Sequence, residues 1–260
     1  MATGELAGCH VVITRPRHQA AALAQGIEQR GGGTRLVPVL QILPAEDAAA
    51  ARRTFHQLAN YHLCIFISRN AVEHGLALLP AHQPWPGETA VAAVGHSTAR
   101  ALRDRGITVA ITPEHEYSTE GLLAHPQLQA LSGQRILIVR GVGGREVLAS
   151  QLRARGAQVD YVEVYRRALP EVDVAPLVTD LRQHVVDFIV VTSSEGLQNL
   201  FTLLGPAQAP LLYSAVFVVL SERTAQTARD MGIEPKPLVA APASDDGIIA
   251  TLIEAWSRRT

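Results

Sequence analysis

VAAVGHSTARALRDRGI, residues 91–107, runs from small apolar residues through a Gly-x-Ser turn into an amphipathic stretch that stops at Arg-Gly. This is a strand, a tight turn and a helix, the unit from which parallel sheets with crossover helices are built. The same grammar returns in FVVLSERTAQTARDMGI, residues 217–233. Laid over each other, the two stretches match Thr98-Ala99 with Thr224-Ala225, Arg103-Asp104 with Arg229-Asp230, and Gly106-Ile107 with Gly232-Ile233. A shared fold explains matched apolar positions, but matched polar turns point to duplication.

Working outward, the correspondence holds at a spacing of about 125 residues. CHVVITRPRHQAAALAQGIEQRGG from residue 9 lies over QRILIVRGVGGREVLASQLRARGA from residue 134, pairing Arg15 with Arg140 and Arg30-Gly31 with Arg155-Gly156. LCIFISRNAVEHGL from residue 63 lies over FIVVTSSEGLQNLF from residue 188, pairing Ser68 with Ser193. Short Val/Ile-rich runs alternate with amphipathic stretches throughout. The expected fold class is α/β, with two similar domains whose parallel sheets are flanked by helices.

The Gly-x-Ser turn is also the setting of a hydrolase nucleophile elbow. Ser97 is not read as a nucleophile. The final glycine of that motif is Ala99 and no HGGG-like oxyanion segment is present; Arg223 at this place in the second copy is not decisive, since a duplicate need not keep a nucleophile. What the copies share is threonine, which is expected to cap the helix beside N–H groups that attract anions. RGVGGREVL resembles half of a dinucleotide fingerprint, but Glu146 replaces the third glycine, so a nucleotide-dependent Rossmann enzyme is disfavoured. No P-loop motif occurs. The ten histidines are scattered, and His115 in PEHEY reads as part of a solvated loop rather than a metal ligand. No metal or organic cofactor is expected.

The balance of 23 Lys+Arg against 24 Asp+Glu gives no basic field for nucleic acid. No apolar run approaches the roughly 20 residues that span a bilayer, and the first residues lack a secretory pattern. Cys9 and Cys64 lie in apolar runs and read as core residues rather than a disulfide. A cytoplasmic protein, bound neither to membrane nor to nucleic acid, is expected.

Polar residues collect where predicted strands end: Thr14-Arg15, Ser68 to Asn70, Gly95 to Thr98, Arg140, Thr192 to Ser194, and Ser221 to Thr224. Ligands of open parallel sheets bind beyond those ends. Hydroxyls, helix N-termini and arginines suit carboxylates or phosphates, so a polyanion held in a cleft between the domains is expected. LVPVLQILP (36–44) and VDYVEVYRRALP (159–170) read as two linkers. Tyr165 then falls at the hinge, either facing the cleft or buried.

VITRP, ISRNAVEHGL, VAAVGHSTARALRDRGI, STEGLL, ILIVRG, VEVYRR, VVTSSEGLQNLF and SERTAQTARDMGI, in this order and spacing, resemble the uroporphyrinogen-III synthase family over nearly the whole chain. The resemblance implies a discontinuous first domain of residues 1–38 plus 168–260 and a second of 43–163. A two-stranded connector at about 39–42 and 164–167 joins them. It implies a cofactor-independent lyase that cyclises hydroxymethylbilane to uroporphyrinogen III, losing water and inverting ring D through a spirocyclic intermediate. The oligomeric state is left open, with a monomer as the default expectation, and the preceding pathway enzyme is the candidate transient partner. Tyr165 matches the family's tyrosine in the VY motif and is the candidate acid. Substrate-binding candidates on one side are Ser68, Asn70, Ser97, Thr98 and Arg140, and on the other Thr14, Arg15, Ser193, Ser194, Ser221, Arg223 and Thr224. Asn70 stands where family members can carry arginine, and Ser-Glu-Arg-Thr replaces a Gly-Pro-Thr-Thr type of turn. The alternative is a non-catalytic two-domain protein that clamps a small polyanionic ligand.

Overall fold

The computed structural model describes residues 4–79, 84–114 and 116–259; His115 lies outside the described residues. Along the chain, β1 (His10–Ile13), α1 (Arg17–Glu28) and β2 (Gly33–Leu36) come first, followed by β3 (Gln41–Pro44) and α2 (Ala48–His56). Next are β4 (Leu63–Phe66), α3 (Arg69–Leu76), β5 (Ala90–Ala93), α4 (His96–Arg103) and α5 (Thr119–Leu123). The second half holds β6 (Arg135–Gly141), α6 (Val147–Ala154), β7 (Gln158–Ala168), α7 (Ala175–Arg182), β8 (Phe188–Val191) and α8 (Ser194–Gln208). It closes with β9 (Phe217–Val219), α9 (Glu222–Asp230), β10 (Leu238–Val239) and α10 (Asp245–Ser257).

These elements form two compact units, one of Met1–Gln41 with Ala168–Thr260 and one of Ile42–Arg167. The first unit's sheet runs β10-β9-β8-β1-β2, and its strand pairs are parallel. The second unit's sheet runs β3-β7-β6-β4-β5, with Ile111 bridging Ala92 in parallel beyond β5. Both are doubly wound, and chain order reverses between β1 and β8 in one and between β6 and β4 in the other. The duplicated segments are therefore exchanged: β1–α1–β2 joins the late strands, and its repeat β6–α6–β7 joins the early ones. The two stretches read as linkers carry strand. β7 is unbroken from Gln158 to Ala168, and β3 lies beside it.

Alternation along each buried strand sends successive side chains to opposite faces. In the first unit, Val11, Ile13, Phe188, Val190 and Val218 pack with α1 and α10. Val12, Ile189, Val191, Phe217 and Val219 pack with α7, α8 and α9 on the other face. In the second unit, Cys64, Phe66, Val91, Ala93, Leu137 and Val139 face α2, α3 and α4, while Leu63, Ile65, Ala92, Ile136 and Ile138 face α5 and α6. Cys9 and Cys64 are buried free thiols in different units. No helix among the described residues is long and apolar enough to cross a membrane.

The glycines matched between repeats stop helices. Gly31, Gly106, Gly156 and Gly232 all have φ between 75° and 92° just past α1, α4, α6 and α9. In each case the next N–H bonds back to a last-turn carbonyl, Gly32 to Ile27, Ile107 to Leu102, Ala157 to Leu152, and Ile233 to Ala228, at 3.1–3.2 Å. This closure needs a left-handed residue, which glycine supplies without a Cβ penalty.

Candidate functional site

The candidate residues cluster at the C-terminal ends of the strands in each unit, where helices begin. In the first unit, Thr14 follows β1 and is 2% exposed; its Oγ1 donates to the Val190 carbonyl at 2.8 Å, stapling β1 to β8. Arg15 pairs with Asp245 in the first turn of α10. Ser193 caps α8 by accepting from Gly196 N–H at 3.0 Å, and Ser194 Oγ lies 2.8 Å from Thr227 Oγ1. Ser221 caps α9 by accepting from Thr224 N–H at 3.2 Å, and its hydroxyl lies 3.0 Å from Thr224 Oγ1. Arg223 is exposed, and its guanidinium has no side-chain partner among the described residues. The exposed serines Ser193 and Ser221 and the open cation at Arg223 are the groups here that a carboxylate could meet.

In the second unit, Ser68 caps α3 by accepting from Ala71 N–H at 3.1 Å. Its Oγ also lies 3.2 Å from the Tyr165 hydroxyl. Tyr165 projects from β7 into the core and is 1% exposed. Its ring passes over Gly141, where the β6–β7 register shifts and a Cβ would come within 2.6 Å of Cζ. The tyrosine is thus turned inward, with only its hydroxyl end reaching the turn after β4. Asn70 is half-buried in the first turn of α3, Ser97 is exposed in the first turn of α4, and Thr98 is buried. Between α3 and α4 lies a cleft of ≈460 Å³ lined by Arg69, His96, Ser97, Arg100 and Arg105, with Glu73 and Asp104 pairing Arg69 and Arg100.

Arg140 has another occupation. It is 8% exposed, bonded to Glu146 Oε1 at 2.9 Å and Glu163 Oε1 at 3.3 Å, and stacked 4.0 Å over the Tyr161 ring. Burial works against its charge, but Glu146, Tyr161 and Glu163 outweigh this and hold it above the ordinary arginine range. Glu146 is held below the usual carboxylate range by the Tyr161 hydroxyl, 2.6 Å away, and then by Arg140. The guanidinium fixes the Gly143-Gly144 loop against β7 instead of standing open to an anion.

The expected threonine caps are corrected by the structure. Thr98 and Thr224 sit at the third position of their helices, while the cap positions are Gly95 and Ser221. Two further serine caps escaped the sequence reading. Ser118 accepts from Gly121 N–H at 3.0 Å and Ser244 from Gly247 N–H at 3.2 Å. Their signal was present as Ser-x-acid-Gly in STEG (118–121), SSEG (193–196) and SDDG (244–247). In the first and last of these, a Cβ on the glycine would overlap the carbonyl oxygen of Glu116 or Pro242.

Two doubly wound parallel units built from exchanged repeats, with serine-capped turns at their strand ends, define a duplicated two-unit α/β protein. The family model described as uroporphyrinogen-III synthase HemD matches residues 21–250. The uroporphyrinogen-III synthase of Escherichia coli K12 is 31% identical, the alignment covering 93% of this chain and 99% of that one. That of Synechococcus elongatus is 29% identical over the full length of both. The chain also shares its fold with a crystal structure of a mutant uroporphyrinogen III synthase from the extremely thermophilic bacterium Thermus thermophilus, with a TM-score of 0.65, 18% identity, and coverage of 96% of this chain and 99% of that one. The chain belongs to the uroporphyrinogen-III synthase family.

Proposed function

We propose that this protein cyclises hydroxymethylbilane, a linear tetrapyrrole bearing an acetate and a propionate on every ring, to uroporphyrinogen III. The full-length likeness to the Escherichia coli synthase carries this reading, and the donor-rich helix starts of both units suit its carboxylates. The terminal hydroxyl takes up a proton and leaves as water, generating a methylene-pyrrolenine cation. The substituted position of ring D attacks it to give a spirocycle, which fragments and recloses at the free position with loss of a proton. Water is the only by-product, and ring D is inverted.

Because the bilane closes without help to the uninverted isomer, the protein's task is largely to hold a flexible chain in one conformation. Ser68, Asn70, Ser97 and Thr98 in one unit serve carboxylate binding, as do Ser193, Ser194, Ser221, Arg223 and Thr224 in the other. Thr14, Arg15 and Arg140 position neighbouring turns through their own bonds. Tyr165 is the proposed acid, since its hydroxyl shares the Ser68 turn at 3.2 Å. The setting is the cytoplasm, with transient delivery from the enzyme that makes the unstable bilane. The test is isomer analysis after adding purified protein to freshly generated hydroxymethylbilane. Predominantly type III product is expected; type I alone, as in a protein-free control, overturns the proposal and leaves a ligand clamp.

A further inference from the structure

Tyr165 breaks the alternation of its own strand. Along β7, Val162 and Val164 pack into the core that faces α2, α3 and α4, and Tyr161 packs on the opposite face, toward α5 and α6. Strict alternation assigns Tyr165 to the face of Tyr161. It lies instead in the same core cluster as Val162 and Val164. The strand register explains the exception. Arg140 stands opposite Glu163, but Gly141 stands opposite Tyr165, so β7 carries one residue more than β6 at this step. Val164 is the extra residue. Its carbonyl accepts from Ala45 N–H at 3.2 Å, on the side where β3 lies, while the Tyr165 carbonyl accepts from Val142 N–H at 2.8 Å on the β6 side. An inserted residue re-aims the side chains that follow it, and losing it turns them to the other face.

Glu163, the last residue before the slip, spans it. Its Oε1 accepts from Arg140 Nε and Nη2, both at 3.3 Å, and from Gly143 N–H at 3.2 Å. Arg140 lies ahead of the slip, and Gly143 lies beyond it, in a turn with a φ of 74°. One carboxylate oxygen thus ties β6 and its outgoing turn to β7 on both sides of the irregular step. Between the two tied points is Gly141, the residue over which the Tyr165 ring passes. The anchor is itself fixed, since Arg140 also bonds Glu146 at 2.9 Å and stacks on the Tyr161 ring. Bonds between ionised partners are the stronger kind, and this one is made where the regular ladder is interrupted.

We propose that Glu163 is a positioning residue for Tyr165: its carboxylate clamps the slipped register and so sets the phenol beside Ser68. That the phenol so placed is the acid rests on the cyclase reading; the clamp does not. Glu163→Ala removes all three bonds, whereas Glu163→Gln keeps an oxygen that can accept them. With hydroxymethylbilane as substrate, alanine lowers kcat by roughly ten- to a hundredfold, the scale of a misplaced reacting group, with KM little changed. Glutamine recovers most of the loss. In a Tyr165→Phe background, where no phenol is left to place, alanine at 163 lowers kcat no further. An equal factor in both backgrounds, or a raised KM in place of a lowered kcat, overturns the assignment. The clamp is read apart from turnover by the NMR cross-peak between the Tyr165 ring and the Gly141 α-protons. It is strong in the wild type, kept in Glu163→Gln and weakened in Glu163→Ala. Glu163→Asp keeps the charge but draws the oxygen back by one methylene; it weakens the cross-peak and lowers kcat even if alanine unfolds the unit. An unchanged cross-peak in both shortened variants overturns the clamp whatever the turnover. A weakened cross-peak there, with Tyr165→Phe turning over fully, rejects the acid and leaves the clamp standing.

Discussion

Gly141→Ala tests whether close packing sets the position of the Tyr165 phenol. The added methyl would lie 2.6 Å from Cζ and 2.7 Å from Cε2, where carbon atoms settle at about 3.5–4.0 Å. The ring must therefore move by about 1 Å, and a side chain 1% exposed in a packed core has no free space to move into. Overpacking of this kind costs about 1–3 kcal/mol. The displaced hydroxyl also leaves Ser68, now 3.2 Å away, which costs about 1 kcal/mol. Together these give about 2–4 kcal/mol, a fall in Tm of roughly 6–20 °C for a unit of this size. If the phenol is the proton donor, kcat falls as well, by up to about a hundredfold for a misplacement of this size. Thermal melts and isomer-resolved turnover are the assays. In a Tyr165→Leu background, which lacks the colliding atoms, alanine at 141 should cost less than about 1 kcal/mol. A single variant melting within about 1 °C of wild type, or an equal loss in both backgrounds, refutes the packing argument.

Tyr165→Phe keeps the ring and removes one neutral hydrogen bond; a loss of about 1 kcal/mol with a clear drop in kcat is expected, and full turnover rejects the acid. Tyr61 is pushed up to about 12 by burial and then by its bond and proximity to Asp160, which it reaches at 2.9 Å. Its protonated form is favoured in the fold, so that stability is complete below pH 10 and lost as pH rises toward 12. Urea melts across this range should show the decline, and Tyr61→Phe should flatten it. Burial pushes the Cys9 thiol up to about 12 and the Cys64 thiol well above its usual value. Neither should react with iodoacetamide at about pH 8 until urea unfolds the chain; rapid labelling of the native protein would contradict their burial.

The alternation of strands and helices was legible because period-2 and helical patterns are local, and the duplication because turns need particular residues. Gly31 and Gly156 repeat, as do Gly106 and Gly232, for the left-handed stop they share. Ser68, Ser193 and Ser221 could be placed at helix starts for the same reason. The occupation of Arg140 could not. Glu163 reaches it only because β6 and β7 are paired with Arg140 opposite Glu163, a register no periodicity states. Nor could the inward turn of Tyr165, which depends on the shift at Gly141. The threonines misled because one residue type suits both the cap itself and the third helical position, where Thr224 meets the capping hydroxyl of Ser221.

The exchange of β1–α1–β2 has a consequence for how the chain is made. The second unit is continuous from Ile42 to Arg167 and can close as soon as it leaves the ribosome. β1 must wait for β8, and the bond from Thr14 to Val190 spans 176 residues. At about 5–20 residues per second, the apolar strand Val11–Ile13 spends on the order of ten seconds or more without its inner neighbour. Meanwhile β6, its own repeat, emerges beside the strands of the second unit. Correct assembly then turns on kinetic discrimination between two look-alike strands: the nascent chain must seat β6 against β4 and hold β1 in reserve.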